Sequence, residues 1–175
     1  FIVVIFFVWA WHGWLADYQK QRVIGLFNPH YDPLGVNYNV IQSKIAIGSA
    51  GLLGKGWHQG TQTQLGFLPE ATSDFLFAAF MEEWGLAGGL IILLTFLCLL
   101  WRIIRTGFLA GNNFSKLICL GTVVVLLIHF TFNVGSNLGL VPVIGVSLPF
   151  LSYGGSNLLT NAVLIGIIQS IVIRS

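Results

Sequence analysis

Asp74 is the acidic residue whose position in the sequence best suits acid–base chemistry. It stands directly before a long apolar stretch, residues 75–101, which also holds the adjacent acids Glu82 and Glu83. A polar side chain at the start of a helix often accepts a hydrogen bond from a free backbone N–H, and Ser73 or Asp74 could cap a helix in this way. A carboxylate held outside the lipid can instead accept a proton during a reaction. The sequence leaves both roles open.

The length of this apolar stretch predicts where Asp74 lies relative to the membrane. As a helix, residues 75–101 would measure about 40 Å, against a hydrocarbon core about 30 Å thick. If Arg102 lies at one interface, Glu82 and Glu83 reach the other, and Asp74 stands about 12 Å farther out. A straight helix would therefore present Asp74 beyond the lipid.

The composition is that of a membrane protein. Of the 175 residues, 55% are hydrophobic and 8% are charged, whereas a soluble domain carries about 25% charged residues. The net charge of +2 is too small to indicate nucleic-acid binding. The two cysteines, Cys98 and Cys119, lie in apolar stretches and have neither a disulfide framework nor a metal-binding spacing. We therefore predict no metal-ligating residues.

Four apolar stretches approach the length of about 20 residues that a membrane-spanning helix needs. They are residues 1–16, 75–101, 117–136 and 156–174. The first is already apolar at Phe1 and has no signal-peptide features, so we expect the chain to be the C-terminal part of a longer protein. The predicted fold is all-α, a polytopic transmembrane helical bundle in which residues 1–175 belong to one membrane domain.

Two irregular regions separate these spans. Residues 17–74 form a long polar loop, and loops of that length are usually functional. Part of this loop predicts a short amphipathic helix at the membrane surface. Its apolar face would hold Val40, Ile41, Ile45, Gly48 and Leu52. Residues 135–155 contain two prolines and five glycines, and we interpret them as a re-entrant segment that lines a cavity.

The cations near the helix ends predict the orientation of the chain. Arg102, Arg105 and Lys116 occupy a short connection that has no acid, and Arg174 ends the last span. Cytoplasmic connections are rich in such cations, so we expect residues 17–74 to be extracytoplasmic and the C-terminus to be cytoplasmic.

Polar side chains also occur within the third span and just after it. They are His129, Thr131, Asn133, Ser136 and Asn137. Such residues commonly form hydrogen bonds between helices, and they can also line a substrate pathway. The sequence does not decide between these roles.

Several motifs follow one another in a fixed order along the chain. They read NPHYDPLG (28–35), YNVIQSKIAIGS (38–49), GKG (54–56), GTQ (60–62), FLPEATSDF (67–75), EEWG (82–85) and PFLSYGGS (149–156). Together they closely resemble the SEDS family (shape, elongation, division and sporulation). The Gln-Ser-Lys and Gly-Thr-Gln segments resemble its RodA branch rather than its division branch, FtsW. Thr72-Ser73-Asp74 replaces the family's usual His-Thr-Asp, and the aspartate is kept.

The resemblance implies an activity. SEDS proteins are peptidoglycan glycosyltransferases of the bacterial cytoplasmic (inner) membrane, which polymerise lipid II into glycan strands and release undecaprenyl pyrophosphate. They act in cell-wall elongation and rod-shape maintenance with a class B penicillin-binding protein, a transpeptidase, and other elongation-complex proteins. In the family, the aspartate that matches Asp74 is the essential acidic residue of the active site. We expect this fragment alone to be inactive, because the rest of the protein would supply part of the site.

These expectations combine into one hypothesis for the site. Asp74 acts as general base on the acceptor sugar hydroxyl. Lys44, Arg22, Lys55 or a divalent cation such as magnesium stabilises the departing pyrophosphate. The other predicted substrate-binding residues are Gln42, Ser43, Glu70, Ser152, Tyr153 and Ser156.

Two functions of other classes remain open. A flippase or transporter of a lipid-linked sugar would use His129, Asn133 and Asn137 inside the membrane, although it would have little use for an aspartate outside it. A non-catalytic scaffold for the penicillin-binding protein could keep every motif as a binding surface.

Overall fold

The structure, a computed structural model, describes residues 13, 16–28, 32–35 and 37–174. It contains six helices in the described part of the chain: α1 (Asp17–Phe27), α2 (Tyr38–Ser49), α3 (Thr61–Gln64), α4 (Leu76–Leu109), α5 (Asn113–Leu138) and α6 (Gly155–Arg174). No strand occurs among these residues. Three helices are long and apolar enough to cross a membrane, over Leu76–Leu109, Asn113–Leu138 and Gly155–Ile173. The all-α membrane fold is thus confirmed. The predicted first span, residues 1–16, lies outside the described residues except for residues 13 and 16.

Helices α4 and α5 form an antiparallel hairpin that carries the main apolar core. Residues 110–112 connect them, and the Asn112 side chain caps α5 by accepting a hydrogen bond from the Ser115 N–H at 2.7 Å. The core between the helices, completed by Ile168 of α6, contains Phe96, Leu100, Ile103, Cys119, Val123 and Leu126. Most outward-facing leucines and valines of the hairpin are exposed, as expected for side chains that face lipid.

Both helices extend farther into their connection than the sequence predicts. We expected α4 to end at residue 101 and the next span to begin at residue 117, whereas α4 continues to Leu109 and α5 begins at Asn113. The cations Arg102, Arg105 and Lys116 therefore lie on helices rather than in a loop. They still cluster at one end of the hairpin, opposite to Asp74.

The prediction of a straight α4 is wrong, because the helix is broken at Gly85. This residue has φ 68° and ψ −166°, a conformation that only glycine adopts readily. Residues 51–57, which we call the inserted loop, lie against the break. A Cβ atom added to Gly85 would overlap the Gly54 backbone, and one added to Gly54 would overlap the Glu83 backbone. The two glycines are needed for this close approach.

The inserted loop pairs with the backbone groups that the break leaves without helical partners. Four hydrogen bonds of 2.9–3.1 Å join them: the N–H groups of Leu86 and Ala87 donate to the carbonyls of Gly51 and Leu52, and the N–H groups of Lys55 and Gly56 donate to the carbonyls of Glu82 and Glu83. An unpaired backbone group inside a membrane costs several kcal/mol in principle. The inserted loop removes that cost and stabilises the bend.

Helix α2 exists as predicted, but a different face of it is buried. Ala46 packs in a small core with Leu68, Phe75 and Ala78, whereas Ile45 and Leu52 are exposed. The helix packs against α4 and α5 at the end of the bundle where α4 begins. A one-sided pattern of small residues, not of large apolar ones, marks its buried face.

The Gly/Pro segment is irregular over residues 139–154, because α5 continues to Leu138 before Gly139 ends it in a left-handed conformation. Residues 148–151 line a hollow together with Ile92 and Phe96 of α4 and with Phe130 of α5. Phe130 lies about two helical turns, or ~12 Å, before the end of α5. The segment therefore returns into the bundle, as the sequence predicts, before α6 begins.

Candidate functional site

Asp74 occupies a turn immediately before α4, and its carboxylate does not cap the helix. Phe75 is the N-cap residue of α4 and makes no side-chain cap, so the predicted capping by Ser73 or Asp74 is wrong. The side-chain oxygen of Asn137 accepts the hydrogen bond from the Ala78 N–H instead, at 3.0 Å. In the part of the chain that the structure describes, no group donates a hydrogen bond to the Asp74 carboxylate. The carboxylate is therefore available for another purpose.

The backbone on which Asp74 sits is held by side chains from α5. The amide nitrogens of Asn133 and Asn137 both donate to the Asp74 carbonyl oxygen at 2.9 Å. Asn133 also donates to the carbonyl of Val146, at 2.8 Å. The hydroxyl of Ser152 donates to the carbonyl of Ser73 at 2.7 Å. The carboxylate is half-buried and receives no hydrogen bond from a described residue, but the main chain beside it is held on two sides.

These contacts decide the open question about polar residues in the third span. Asn133 and Asn137 are fully buried and form hydrogen bonds to the start of α4, so the helix-to-helix role is correct for them. Sequence reasoning did not place either residue in the site. The available signal was two asparagines one helical turn apart, on the same face of an apolar helix.

The environment of Asp74 favours its protonated form. Burial is the largest cause that raises the pKa of this carboxyl above its ordinary value of 3.8, and the negative charge of Glu70 raises it further. The guanidinium of Arg22 acts in the opposite direction and lowers the pKa. Glu70 is exposed and accepts a hydrogen bond from the Ser73 hydroxyl at 2.7 Å. A raised pKa in a half-buried site is typical of a catalytic acid or base.

Space for a reacting group lies on the side of Asp74 that faces Gly145. A Cβ atom at Gly145 would stand 3.7 Å from Oδ2 of Asp74, and no atom of another described residue would be closer. Gly145 is exposed and has φ 72°. The absence of a side chain there keeps the approach to the carboxylate open.

Two of the predicted cations, Arg22 and Lys44, line one recess beside this turn. Its other walls come from Gly25, Leu26, Asn37, Val40, Ile41, Gly139, Val141, Pro142 and Val143. The interior measures about 40 Å³, which is room for a water molecule or two. The Arg22 guanidinium donates to the carbonyl of Val143, and the Lys44 ammonium lies against Gly139. Two cations on one recess make it a candidate site for an anion.

Lys55, the third predicted cation, is separate from this recess. Its ammonium forms an ion pair of 2.7 Å with Glu82, whose side chain is 0% exposed. The Glu82 carboxylate also accepts hydrogen bonds from the backbone N–H groups of Gln62 and Thr63, at 3.0 and 3.2 Å, and from the hydroxyls of Thr61 and Thr63. Lys55 is thus engaged in holding the inserted loop to α4.

The other predicted substrate-binding residues are distributed unevenly. Ser43 is fully buried and donates to the Asn137 carbonyl at 2.6 Å, and Gln42 lies half-buried beside it on α2. Ser152 is buried and holds the turn before α4. Tyr153 and Ser156 are exposed. Tyr153 lines an open apolar hollow of about 720 Å³ with Thr72, Leu76, Phe150, Leu151, Ser152, Gly154, Gly155 and Leu158.

The described residues contain no group of three or more His, Cys, Asp or Glu side chains that could hold a metal ion. Glu70 and Asp74 are close enough to influence each other's charge. Magnesium is commonly held by one or two carboxylates, with substrate phosphates and waters completing its shell. Two carboxylates are compatible with that arrangement, and the divalent cation stays a prediction.

The whole chain, residues 1–175, matches the family described as cell cycle protein, FtsW/RodA/SpoVE. It is 45% identical over 170 residues to peptidoglycan glycosyltransferase MrdB of Escherichia coli K12. The match covers 97% of this chain and 46% of that protein. It is 39% identical over 160 residues to peptidoglycan glycosyltransferase RodA of Treponema pallidum, covering 91% of this chain and 37% of the relative. Stage V sporulation protein E of Bacillus subtilis is 40% identical over 156 residues, and the match covers 89% of this chain and 42% of that protein.

A solved chain has the same fold. It comes from work on the structural coordination of polymerization and crosslinking by a peptidoglycan synthase complex. The TM-score is 0.69 at 30% sequence identity, and the match covers 95% of this chain and 46% of the solved one. This chain thus spans less than half the length of the relatives that it matches.

Proposed function

This chain belongs to the FtsW/RodA/SpoVE family of cell cycle proteins, and from that premise we propose that its parent protein is a peptidoglycan glycosyltransferase. The substrate is lipid II, the product is a glycan strand for cell-wall elongation and rod shape, and undecaprenyl pyrophosphate is released. The observation that carries the proposal is Asp74, a carboxylate with a raised pKa that receives no hydrogen bond from a described residue. The names of the relatives support the reaction class.

In the proposed reaction, Asp74 is the general base. Its carboxylate accepts the proton of the acceptor sugar hydroxyl while that oxygen attacks the anomeric carbon of the donor. The new glycosidic C–O bond forms as the C–O bond to the pyrophosphate breaks, and the electron pair leaves with the pyrophosphate. A positioned base typically contributes about 10²–10⁴-fold to such a step. The side chains of Asn133 and Asn137 hold the Asp74 carbonyl and Ser152 holds that of Ser73, which limits the positions of the Asp74 carboxylate.

Arg22 and Lys44 are the proposed partners of the departing pyrophosphate. They line one recess, and Arg22 also acts electrostatically on Asp74. Two cations there favour the negative charge that develops on the leaving group. Lys55 is left out of this role because its ammonium is paired with Glu82. A divalent cation, if bound, would supply further positive charge beside Asp74 and Glu70.

The proposed location is the bacterial inner membrane, with Asp74 on the extracytoplasmic side. Arg102, Arg105 and Lys116 gather at the opposite end of the α4–α5 hairpin, as the preference for cytoplasmic cations requires. The proposed partner is a class B penicillin-binding protein of the elongation complex. The solved relative from a peptidoglycan synthase complex supports a partner of that kind.

The transporter alternative loses its main support. Of its predicted pathway residues His129, Asn133 and Asn137, the two asparagines form hydrogen bonds to the start of α4 instead. The experiment below distinguishes the proposed enzyme from a non-catalytic scaffold.

The test measures glycan polymerisation from purified lipid II by the full-length parent protein with its transpeptidase. Asp74→Asn is compared with Asp17→Asn, a matched change at a carboxylate that is 96% exposed. We expect Asp74→Asn to lose about 10²-fold or more in rate and Asp17→Asn to keep wild-type rate, with both variants binding the partner. A near-normal rate for Asp74→Asn would overturn the assignment of the base. Absence of polymer from the wild type itself would favour the scaffold.

A further inference from the structure

In the inserted loop the apolar side chains point outward and the charged side chain points inward, which is the reverse of a loop in water. Leu52, Leu53 and Trp57 are 72%, 84% and 67% exposed, whereas Lys55 turns inward to Glu82. A water-exposed loop directs lysine outward and leucine inward, because burying an apolar side chain removes it from water and burying a charge is costly. The arrangement in residues 51–57 is the one expected of a surface that faces lipid.

The backbone of the inserted loop satisfies the main restriction on irregular structure in a membrane. Its groups pair with those released at Gly85, through the four hydrogen bonds to α4 described above. Non-helical backbone is tolerated at membrane depth only where such partners exist. A loop that lay in water would have no comparable need, since water itself would satisfy both sets of groups.

The position of the break along α4 also places the loop at hydrocarbon depth. From Leu86, which bonds directly to the loop, to Arg102 the helix rises about 24 Å. Arg102 is the first charged residue after the break, and the hydrocarbon core is about 30 Å thick. With Arg102 at one interface, the contact between Leu86 and the loop lies roughly 6 Å inside the opposite boundary. Any tilt of α4 places it deeper.

Aromatic side chains mark the same level. The rings of Trp57 and Trp84 lie 6.3 Å apart, and Phe80 stacks on Trp84 at 6.0 Å. Trp84 lies immediately before the break, and both tryptophans are exposed. Tryptophan is enriched where the hydrocarbon core meets the headgroups. The aromatic cluster therefore indicates the same membrane boundary as the length of α4.

We propose that residues 51–57 form a lipid-embedded wedge in the leaflet on the Asp74 side, with Leu52 and Leu53 among the acyl chains and Trp57 at the headgroup boundary. The occupant of this surface is phospholipid, rather than water or another protein segment. The ion pair between Lys55 and Glu82 lets the wedge enter lipid without exposing a charge. This inference is independent of the proposed function, because it rests on side-chain orientation, backbone pairing and depth.

The test uses the full-length protein in phosphatidylcholine/phosphatidylglycerol vesicles, in a variant whose native cysteines are replaced. A spin label is attached at Leu53→Cys, Trp57→Cys or Asp17→Cys, one at a time. Asp17 is the aqueous control, since it is a charged side chain that is 96% exposed. The label's collision rate is measured with oxygen, which concentrates in hydrocarbon, and with a nickel chelate, which stays in water.

We expect the ratio of oxygen to nickel collisions to be several-fold higher at position 53 than at position 17, with position 57 between them. A high nickel collision rate at position 53 would show a water-exposed loop and overturn the proposal. Low rates with both reagents would show that protein covers the surface and would also overturn it. Because Leu53 contacts no core residue, its replacement leaves the fold intact, and circular dichroism of each variant checks this.

Discussion

Asp74 and Glu82 lie within one short stretch of chain, and the fold treats the two carboxylates in opposite ways. Glu82 is completely buried, paired with Lys55 and surrounded by backbone and hydroxyl donors. Asp74 is half-buried, its carboxylate receives no hydrogen bond from a described residue, and only its main chain is held, by Asn133 and Asn137. In Glu82 both the charge and the position of the carboxylate are stabilised by partners. In Asp74 the contacts fix only the position of the backbone.

This difference separates structural acids from reactive ones. A carboxylate whose lone pairs are all used by donors stabilises a contact and has little capacity to accept a proton from a substrate. A carboxylate that is held by its backbone, and whose pKa burial raises, keeps that capacity. Burial of an acid in a membrane protein is thus a weak indicator of function until its hydrogen-bond partners are known.

The largest expected effect comes from removing the charge of Glu82. Glu82→Gln leaves the Lys55 ammonium partly buried without its partner, which costs about 3–5 kcal/mol. We expect a large loss of thermal stability of the full-length protein in detergent, and recovery of most of it in the double variant Lys55→Met/Glu82→Gln. Asp74→Asn is the comparison: because the pKa of Asp74 is raised in the fold, its ionised form opposes folding at neutral pH, so the amide keeps or slightly raises stability.

One result would contradict the distinction between Glu82 and Asp74. If Glu82→Gln keeps wild-type stability but loses polymerisation as Asp74→Asn does, Glu82 is a second reactive acid and the division between the two is wrong.

A smaller effect is expected from Asn137→Leu. The change removes hydrogen bonds to the Asp74 carbonyl and from the Ala78 N–H, at a cost of about 1–3 kcal/mol for the groups left unpaired. We expect kcat to fall while KM changes little, since the substrate does not touch Asn137. The matched control is Asn157→Leu, whose side chain bonds to Ser147 and not to the turn before α4. Equal losses of kcat in both variants would show that Asn137 acts through general stability alone.

The smallest effect is a shift of the pH–rate profile. The rate should decrease as the pH falls through the pKa of Asp74, because the protonated acid cannot accept a proton. Glu70→Gln removes a negative charge that raises this pKa, so the acidic limb of kcat/KM should move to lower pH. Arg22→Gln removes the charge that lowers it, so the limb should move to higher pH. Shifts in the same direction for both variants would show that another group controls the limb.

The sequence predicted the features that depend on length and composition. The membrane helices follow from apolar stretches, the return of the Gly/Pro segment follows from its broken pattern, and Asp74 was identified as the best placed acid. The helix break could not be predicted in this way. Gly85 lies in a run that reads as continuous helix, and the loop that stabilises the break comes from about 30 residues earlier in the chain.

The roles of single polar residues were also beyond the sequence. Lys55 was predicted to bind substrate because its charge suits a pyrophosphate, but its partner Glu82 is 27 residues away and depends on the tertiary fold. Asn133 and Asn137 were recognised as polar residues at membrane depth, yet nothing in their spacing revealed that they hold the turn of Asp74. Lys44 and Arg22 were predicted as alternative cations for the pyrophosphate, and both line one recess.

The contacts that hold the Asp74 turn have a consequence for biosynthesis. Asn137 and Ser152 follow their partners in the turn by 63 and 79 residues, and a ribosome adds about 5–20 residues per second. The turn must therefore wait several seconds after its own synthesis before the side chains that hold it leave the ribosome. The nascent chain inserts α4 with an unfinished end, and the Asp74 turn is completed only after α5 and the Gly/Pro segment have joined it in the bilayer.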